Sequence, residues 1–408
     1  MAFFTNIHRA PDDAVFAVSG AYDADPAEKK VTLAIGAYRD GDGKPVIFDA
    51  VKKAGQKIYD PKNAGKYNKE YLPMGGNAEF RGLAAKLVFG DESKALREKR
   101  VATIQALSGT GALSVCGILL RKTLPMETLV YISDPTWPNH DCIYGELCGF
   151  TLKKYRYWDK QLVGCNIPAM LEDLRLAPKR SVIILHACAH NPTGEDPTHE
   201  EWKQILDTVK EREHFAILDC AYQGFATQDL DRDAYAVRLF EAANLSFAVC
   251  QSFAKNMGLY GERVGALHIV TQTPEEAALV TGRLARIART LWSNPPKHGV
   301  ELALEVLKDN ELRDLWKKQL VEVSKRITDM RVALFDALVK LGTPGKWDHI
   351  KKQIGMFSYT GLTAPQVKYM IEKYHVYLMA SGRISMAGVN MHNVDYIAQA
   401  IDDAVRHC

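Results

Sequence analysis

Between Val101 and Cys250 the chain returns again and again to short, continuous apolar runs: Val101 to Leu107, Leu129 to Ser133, Val182 to Cys188, Phe215 to Leu218 and Phe247 to Cys250. A strand that is apolar at consecutive positions has no face to show water, so it must be covered on both sides. Helix-length stretches such as Ala112 to Lys122 lie between these runs. The pattern predicts an α/β three-layer sandwich, a mostly parallel central sheet between two layers of helices. In such sheets ligands collect beyond the carboxyl ends of the strands. Polar residues follow each run there: Ser108-Gly109-Thr110-Gly111, Asp134 to His140, Ala189 to Gly194, Asp219 to Tyr222, and Ser252 to Lys255.

The texture changes after Lys308. Leu312, Leu315, Trp316, Leu320, Val323, Ile327, Met330, Leu334, Leu338 and Leu341 recur at three- and four-residue steps. That spacing predicts one amphipathic helix of about thirty residues, stopped by Gly342 with Pro344 beyond. The remainder alternates short strands and helices and reads as a smaller α+β domain. We expect an arm over 1–14, a small domain built from 15–48 and 310–408, and a large domain over 49–309. A chain of 408 residues has room for about two such domains.

Charge and composition exclude several functions. The net charge of +3 is spread evenly, with no run of five or six basic residues, so no nucleic-acid partner is expected. No stretch approaches the eighteen apolar residues a membrane span needs. Cys188, Cys220 and Cys250 lie in or beside apolar runs, and the eight cysteines include no C-x-x-C pair. They read as buried thiols in a reducing compartment. The first thirteen residues hold two acids and no Arg/Ser-rich amphipathic pattern, so neither a signal nor a transit peptide is visible.

Each polar run has more than one reading by itself. Ser108-Gly109-Thr110-Gly111 is either an ordinary turn or an anion cradle, where a helix start offers free N–H groups. Asp219 is either a helix cap or a partner for a ring nitrogen. Trp137 is either core filler or a stacking platform. His186, Cys188 and His190 alternate, so a strand would place all three on one face at metal-like spacing. Against that stand satisfied core histidines and the lack of a further ligand, so no metal is expected. Lys255 is either a loop lysine or an amine that forms a Schiff base with a carbonyl compound once burial lowers its proton affinity. Taken together, a phosphate cradle, a stacking Trp, an Asp for a pyridine nitrogen, a Tyr and an Asn for a phenolic oxygen, and a reactive Lys describe a pyridoxal phosphate site. Arg289 and Arg383 offer planar forks for carboxylates.

The runs Ile35-Gly36-Ala37-Tyr38-Arg39, Glu70-Tyr71-Leu72-Pro73, Ser108 to Leu113, His186 to Gly194, Asp219 to Phe225, Gln251 to Arg263 and Trp292 to Pro296 span nearly the whole chain. Through them the sequence resembles the aspartate aminotransferase family of fold-type I pyridoxal phosphate enzymes. The resemblance implies that Lys255 is the Schiff-base lysine and proton shuttle. It implies that Asp219 pairs with the pyridine nitrogen, that Asn191 and Tyr222 hold the ring oxygen, and that Trp137 stacks on the ring with His140 in support. Ser108, Gly109, Thr110, Ser252 and Arg263 would hold the phosphate, with Tyr71 from the partner of a homodimer. Arg383 would bind the substrate α-carboxylate with Gly36 and Asn191, and the partner's Arg289 the side-chain carboxylate. The implied substrates are dicarboxylic amino acids and 2-oxo acids: L-aspartate and 2-oxoglutarate exchange an amino group in a ping-pong reaction through pyridoxamine phosphate. An aromatic aminotransferase of the same fold is the alternative. A metal-dependent hydrolase on His186, Cys188 and His190, or a non-catalytic binding protein, is the rival from another class. Ala254 and Gly261 in the lysine run, with a pI near 8.3, lean the compartment toward the mitochondrial matrix rather than the cytoplasm.

Overall fold

Seven strands make the central sheet: β1 (Val101–Leu107), β2 (Leu129–Asp134), β3 (Thr151–Arg156), β4 (Val182–His186), β5 (Phe215–Cys220), β6 (Phe247–Ser252) and β7 (Val264–Val270). Their spatial order is β1-β7-β6-β5-β4-β2-β3. The strands from β2 to β6 run parallel, and β7 lies antiparallel to both its neighbours. This computed structural model describes residues 3–5, 7, 9, 10, 12–63 and 67–408. Met1, Ala2, Asn6, His8 and Pro11 lie outside the described residues, and with them part of the expected arm.

Consecutive side chains of the central strands enter two different apolar clusters. Ile183, Leu185, Ala216, Leu218, Phe247 and Val249 pack on one face with Phe89, Trp202 and Phe240. Val182, Ile184, Ile217, Ala248 and Cys250 pack on the other with Leu113, Leu120 and Leu284. The two-sided burial is what forces the apolar runs, since each Leu or Ile so buried stabilises the fold by about 1.5–3 kcal/mol.

Two strands depart from the apolar pattern and were not anticipated. In β3, which pairs only with β2, Tyr155 alone is buried and Lys153, Lys154 and Arg156 face outward. Cations on an edge strand discourage pairing with another chain, and they also hide the strand from a search for apolar runs. In β7 the run is broken by Gly265 and His268. The His268 imidazole is satisfied across the sheet by Thr103 Oγ1 at 2.9 Å and Gln251 Oε1 at 3.0 Å. The expected strand over Val182 to Cys188 ends at His186, because Ala189 takes a left-handed φ of 50° and turns the chain.

Helix α1 (Ser108–Thr123) starts at Ser108, four residues earlier than the apolar run suggests, so Gly109, Thr110 and Gly111 lie in its first turn. Helix α2 (Pro274–Leu291) ends just past Arg289. Helix α3 (Asn310–Leu341) is the long helix expected from the periodicity. Asp309 caps its start by accepting from Leu312 N–H at 3.1 Å, and Gly342 ends it with φ 63°. Beyond it, β8 (Phe357–Tyr359) pairs antiparallel with β9 (Arg383–Ser385), and Val31–Thr32 pairs parallel with Val376–Tyr377.

Trp316, fully buried on α3, donates its indole N–H to the Asn256 carbonyl at 2.6 Å, next to Lys255. Trp316→Phe removes that donor and leaves a buried carbonyl unpaired. It is expected to lower the free energy of unfolding by about 1–3 kcal/mol, read from urea midpoints. An unchanged midpoint would show that the helix does not anchor the Lys255 loop.

Candidate active site

Ten of the residues singled out in the sequence line one cavity at the carboxyl ends of β1, β4, β5 and β6: Ser108, Gly109, Thr110, Trp137, Asn191, Asp219, Tyr222, Ser252, Lys255 and Arg263. All but Arg263, which immediately precedes β7, lie at or shortly past the carboxyl end of a buried strand, Trp137 beyond β2, so the sheet holds their backbone while their side chains face the cavity. Leu113, His186 and Ala221 complete the lining.

Asp219 is buried near the end of β5. Its Oδ2 meets His140 Nε2 at 3.2 Å, and its Oδ1 has no hydrogen-bond partner among the described residues. Burial alone would raise its pKa. The hydrogen bond from His140, with electrostatic support from the surrounding groups, Lys255 among them, outweighs it and holds the carboxyl below its ordinary value. Thr136 Oγ1 links His140 Nδ1, at 2.9 Å, to His186 Nε2, at 3.2 Å. An ionised carboxylate with one oxygen unpaired inside the protein is suited to a cationic N–H from a ligand.

Lys255 follows β6. Its Nζ lies 5.4 Å from the centroid of the Tyr222 ring and has no hydrogen-bond partner among the described residues. Burial lowers its pKa and Arg263 pushes in the same direction, against Asp219. The Tyr222 phenol is pushed up by burial, so it is a hydrogen-bond donor at neutral pH. On the anion side, Ser108 Oγ and Ser252 Oγ are 2.7 Å apart, and Ser252 Oγ also accepts from Ala254 N–H. Arg263 adds a cation at the cavity wall, and the first turn of α1 adds free N–H groups.

Arg383 lies beside this cavity, buried, with Nη2 donating to the Ala34 carbonyl at 2.7 Å and Nη1 directed to Asn191 Oδ1 at 3.5 Å. Its Nε has no partner, and no carboxylate pairs with it among the described residues. Its guanidinium carbon lies 4.2 Å from the centroid of the Phe357 ring. Gly36 packs on the same ring so tightly that a Cβ there would come within 2.6 Å of Phe357 Cζ. Tyr71 and Arg289 do not reach the cavity. Tyr71 is 86 % exposed, and Arg289 is exposed with Nη1 on Ser293 Oγ at 2.6 Å. The Tyr71 loop is joined to the segment just past α2, the helix that carries Arg289, by Asn294 Nδ2 donating to the Leu72 carbonyl at 2.7 Å.

The alternation His186-Cys188-His190 does not make a common face. Cys188 turns into the apolar cluster that holds Tyr222 and Phe225. The His190 nitrogens meet Ser133 and Thr193 hydroxyls, each at 2.9 Å, and His186 Nδ1 accepts from Asn191 N–H at 3.4 Å. Among the described residues no group of three or more His, Cys, Asp or Glu is arranged to hold a metal ion. Asp196 escaped the sequence reading. Buried, it accepts from Ala189 N–H at 2.6 Å and His190 N–H at 2.9 Å, and so holds the turn that carries Asn191. Its position two residues past Gly194 was the only signal.

The family model described as aminotransferase class I and II matches residues 28–401. The chain belongs to this family. It is 48% identical to the aspartate aminotransferase, cytoplasmic, of Dictyostelium discoideum, over 98% of this aminotransferase and 90% of the relative. The mitochondrial aspartate aminotransferase of the same organism is 45% identical, over 98% and 92%. Relatives of both compartments therefore stand close to this aminotransferase. The solved aspartate aminotransferase from Saccharomyces cerevisiae cytoplasm superposes with a TM-score of 0.95 at 48% identity, over 99% and 98% of the two chains. The aromatic-amino-acid aminotransferase of Burkholderia pseudomallei, covalently bound to pyridoxal phosphate, gives 0.95 at 40%, over 99% and 100%.

Burial, then neighbouring imidazoles, hold His186 and His190 well below the ordinary histidine range, and burial pushes His268 down to about 3. The folded aminotransferase therefore refuses protons that an unfolded chain accepts near pH 6.5. This contribution to stability is complete above that pH and is lost as pH falls below it. Asp196 acts the other way: burial raises it to about 6, so its contribution is lost as pH rises through that value. Burial depresses His214 and His349 as well and raises Glu195 and Asp233, so five depressed histidines stand against three raised carboxyls. Unfolding free energy measured in urea should fall from pH 7 to pH 5, and His268→Gln should flatten the slope by about 1.4 kcal/mol per pH unit below pH 6. An unchanged slope would mean His268 is protonated in the fold.

Proposed function

We propose that this aminotransferase moves an amino group between L-aspartate and 2-oxoglutarate, giving oxaloacetate and L-glutamate, with pyridoxal phosphate as its cofactor. The observation that carries the reading is the pairing of one orphaned anion with one orphaned cation. Among the described residues Asp219 Oδ1 has no donor and buried Arg383 has no carboxylate beside it. A pyridinium and a substrate α-carboxylate supply the two missing partners.

The residues fit the cofactor. Ser108, Gly109, Thr110, Ser252 and Arg263 would hold its phosphate, Asn191 and Tyr222 its ring oxygen, Asp219 its ring nitrogen, and Trp137 its face. When bound, the protonated ring supplies an electron sink for the pair released as the substrate Cα–H bond breaks. Lys255 Nζ, kept poorly basic by burial, would take the Cα proton and deliver it to the cofactor carbon rather than back to Cα. Arg383 orients the substrate through its α-carboxylate, with Gly36 and Asn191 alongside. In a homodimer, Tyr71 and Arg289 of the partner would reach across to the phosphate and to the side-chain carboxylate. We take 15–48 with 310–408 as the smaller domain and 49–309 as the cofactor domain. Ala254 and Gly261 favour the mitochondrial matrix, which cell fractionation would check. The likeness to an aromatic-amino-acid aminotransferase favours a second reading, separated from the first by relative rates on tyrosine and aspartate.

The cofactor assignment has a chemical test. Hydride reduction of the yellow holoenzyme should fix the label on Lys255, found by peptide mapping; label on another lysine would contradict it. Lys255→Ala should still bind cofactor and lose turnover.

Arg289→Ala should lower kcat/KM for aspartate by a factor equivalent to about 2–5 kcal/mol and leave alanine nearly unaffected. Equal losses on both substrates would make Arg289 structural. Mixing Lys255→Ala with Arg289→Ala protein tests the shared site. Each mixed dimer would carry one intact site, so subunit exchange should restore up to about a quarter of wild-type activity. Exchanged mixtures that stay inactive would place both residues in one chain's site.

A further inference from the structure

One buried cation is left out of the chemistry above. Arg331, on α3, is 2 % exposed and pairs with no acid among the described residues. Its guanidinium donates only to main-chain carbonyls: Nη1 to Ile350 at 3.2 Å, and Nη2 to Gly355 at 2.9 Å and to Phe357. Burial disfavours its charged form. A helix position that needed only apolar filling would carry Met or Leu, since an unpaired guanidinium is costly to remove from water. What Arg offers instead is a planar fork that fixes several acceptors at once.

The three carbonyls belong to one short segment, and that segment touches the substrate side of the site. Ile354 N–H donates to the Gly194 carbonyl at 2.6 Å. Gly355 packs on the same turn, where an added Cβ would come within 2.5 Å of Ala189 Cβ. Gly194 has φ 69°, and a Cβ there would meet the Phe357 carbonyl at 2.7 Å, so the two segments lie backbone against backbone. Asn191 sits between Ala189 and Gly194. The Phe357 ring underlies the Arg383 guanidinium at 4.2 Å and meets the Tyr222 ring edge-on at 6.1 Å. β8, which starts at Phe357, is also the strand partner of β9, which starts at Arg383.

We propose that Arg331 is a positioning residue for carboxylate recognition. By gathering the Ile350, Gly355 and Phe357 carbonyls it fixes the Phe357 ring under Arg383 and holds the Asn191 turn in place. Arg331 touches no substrate; it acts through Phe357 and Asn191. The inference rests on the reading that Arg383 binds the substrate α-carboxylate. It predicts a binding defect much larger for carboxylates than for the cofactor, because Phe357 lies directly under Arg383, whereas the cofactor residues that border this segment, Asn191 and Tyr222, are two of the ten that line the cavity.

Succinate, an unreactive dicarboxylate, is the probe, with binding to the holoenzyme measured by calorimetry. Arg331→Lys keeps the charge but not the three-way fork. It should raise the succinate Kd and the KM for aspartate on the order of tenfold, with a smaller change in kcat and a change in cofactor Kd of no more than about twofold. Arg383→Ala should weaken succinate strongly, and adding Arg331→Lys to it should cost nothing further, since the two act on one contact. Wild-type succinate binding in Arg331→Lys overturns the proposal. So does an equal loss in the Arg383→Ala background, or a parallel loss of cofactor, either of which marks a general structural role. If Arg383→Ala itself binds succinate normally, the carboxylate reading of Arg383 is the part that fails, and the proposal falls with it. Should Arg331→Lys not fold, Phe357→Leu tests the other end of the link. The same carboxylate-specific loss supports it, and wild-type affinity overturns it.

Discussion

Asp219 is a charge that the fold holds but does not finish pairing. Its carboxyl lies at the buried end of β5, with one oxygen on His140 and the other free. Taking a carboxylate out of water costs several kcal/mol, and one hydrogen bond does not offset it. The surroundings are therefore organised to keep it ionised. Thr136 occupies His140 Nδ1, leaving Nε2 to face the carboxyl, and Lys255 contributes a charge from the next strand. The remaining deficit is what a cationic ring can relieve. Under the proposed role of Asp219, cofactor binding and stability of the fold would be linked, because the ligand that completes the carboxylate would also offset the cost of burying it.

The other parts of the site depend on how that end of the sheet is closed. Parallel strands leave their last residues pointing the same way, so Ser108, Asn191, Asp219 and Lys255 reach one cavity from four separate strand ends. Between them the chain must turn sharply, and the turns are fixed by buried polar groups rather than by apolar packing. Asp196 gathers the Ala189 and His190 amides, and Arg331 gathers the Ile350, Gly355 and Phe357 carbonyls. One is an anion on N–H groups, the other a cation on C=O groups, and both act on the two segments that meet at Gly194. Rigid turns of this kind bring catalytic groups to a fixed geometry before any ligand arrives.

Much of this was legible in the sequence, for reasons that can be stated residue by residue. Strands buried on both faces cannot tolerate polar side chains, so Val182 to His186 and Phe247 to Cys250 announced themselves. The 3.6-residue period of α3 and its Gly342 stop did the same. The polar residues beyond the strand ends stood out because nothing in a core explains them. What stayed hidden was held by long-range contacts. β3 carries lysines because it is an edge, and β7 carries His268 because Thr103 and Gln251 on neighbouring strands satisfy it. Asp196, Phe357 and Arg331 act on backbone atoms, and a backbone acceptor leaves no mark in the amino-acid pattern. The alternation His186-Cys188-His190 misled for the same reason: the left-handed turn at Ala189 is set by Asp196, not by the residues of the run.

The two arginines show why one chain is not enough for the proposed specificity. Arg383 is buried, stacked on Phe357 and half satisfied, so a carboxylate that reaches it meets a fork already oriented and poorly screened. Arg289 is the same side chain in the opposite setting: exposed and held by Ser293 and Asn294. A carboxylate paired with such an arginine in water gains about 0–1 kcal/mol, too little to separate a dicarboxylate from a neutral amino acid. Enclosed and desolvated, the same pair is worth several kcal/mol. Discrimination by Arg289 therefore requires a second surface to cover it. Tyr71, exposed on a loop tied through Asn294 to the end of the helix that carries Arg289, would be covered by the same event. In the proposed homodimer, substrate specificity would then be a property of the interface as much as of the pocket, and weakening that dimer should erode selectivity before it erodes cofactor binding.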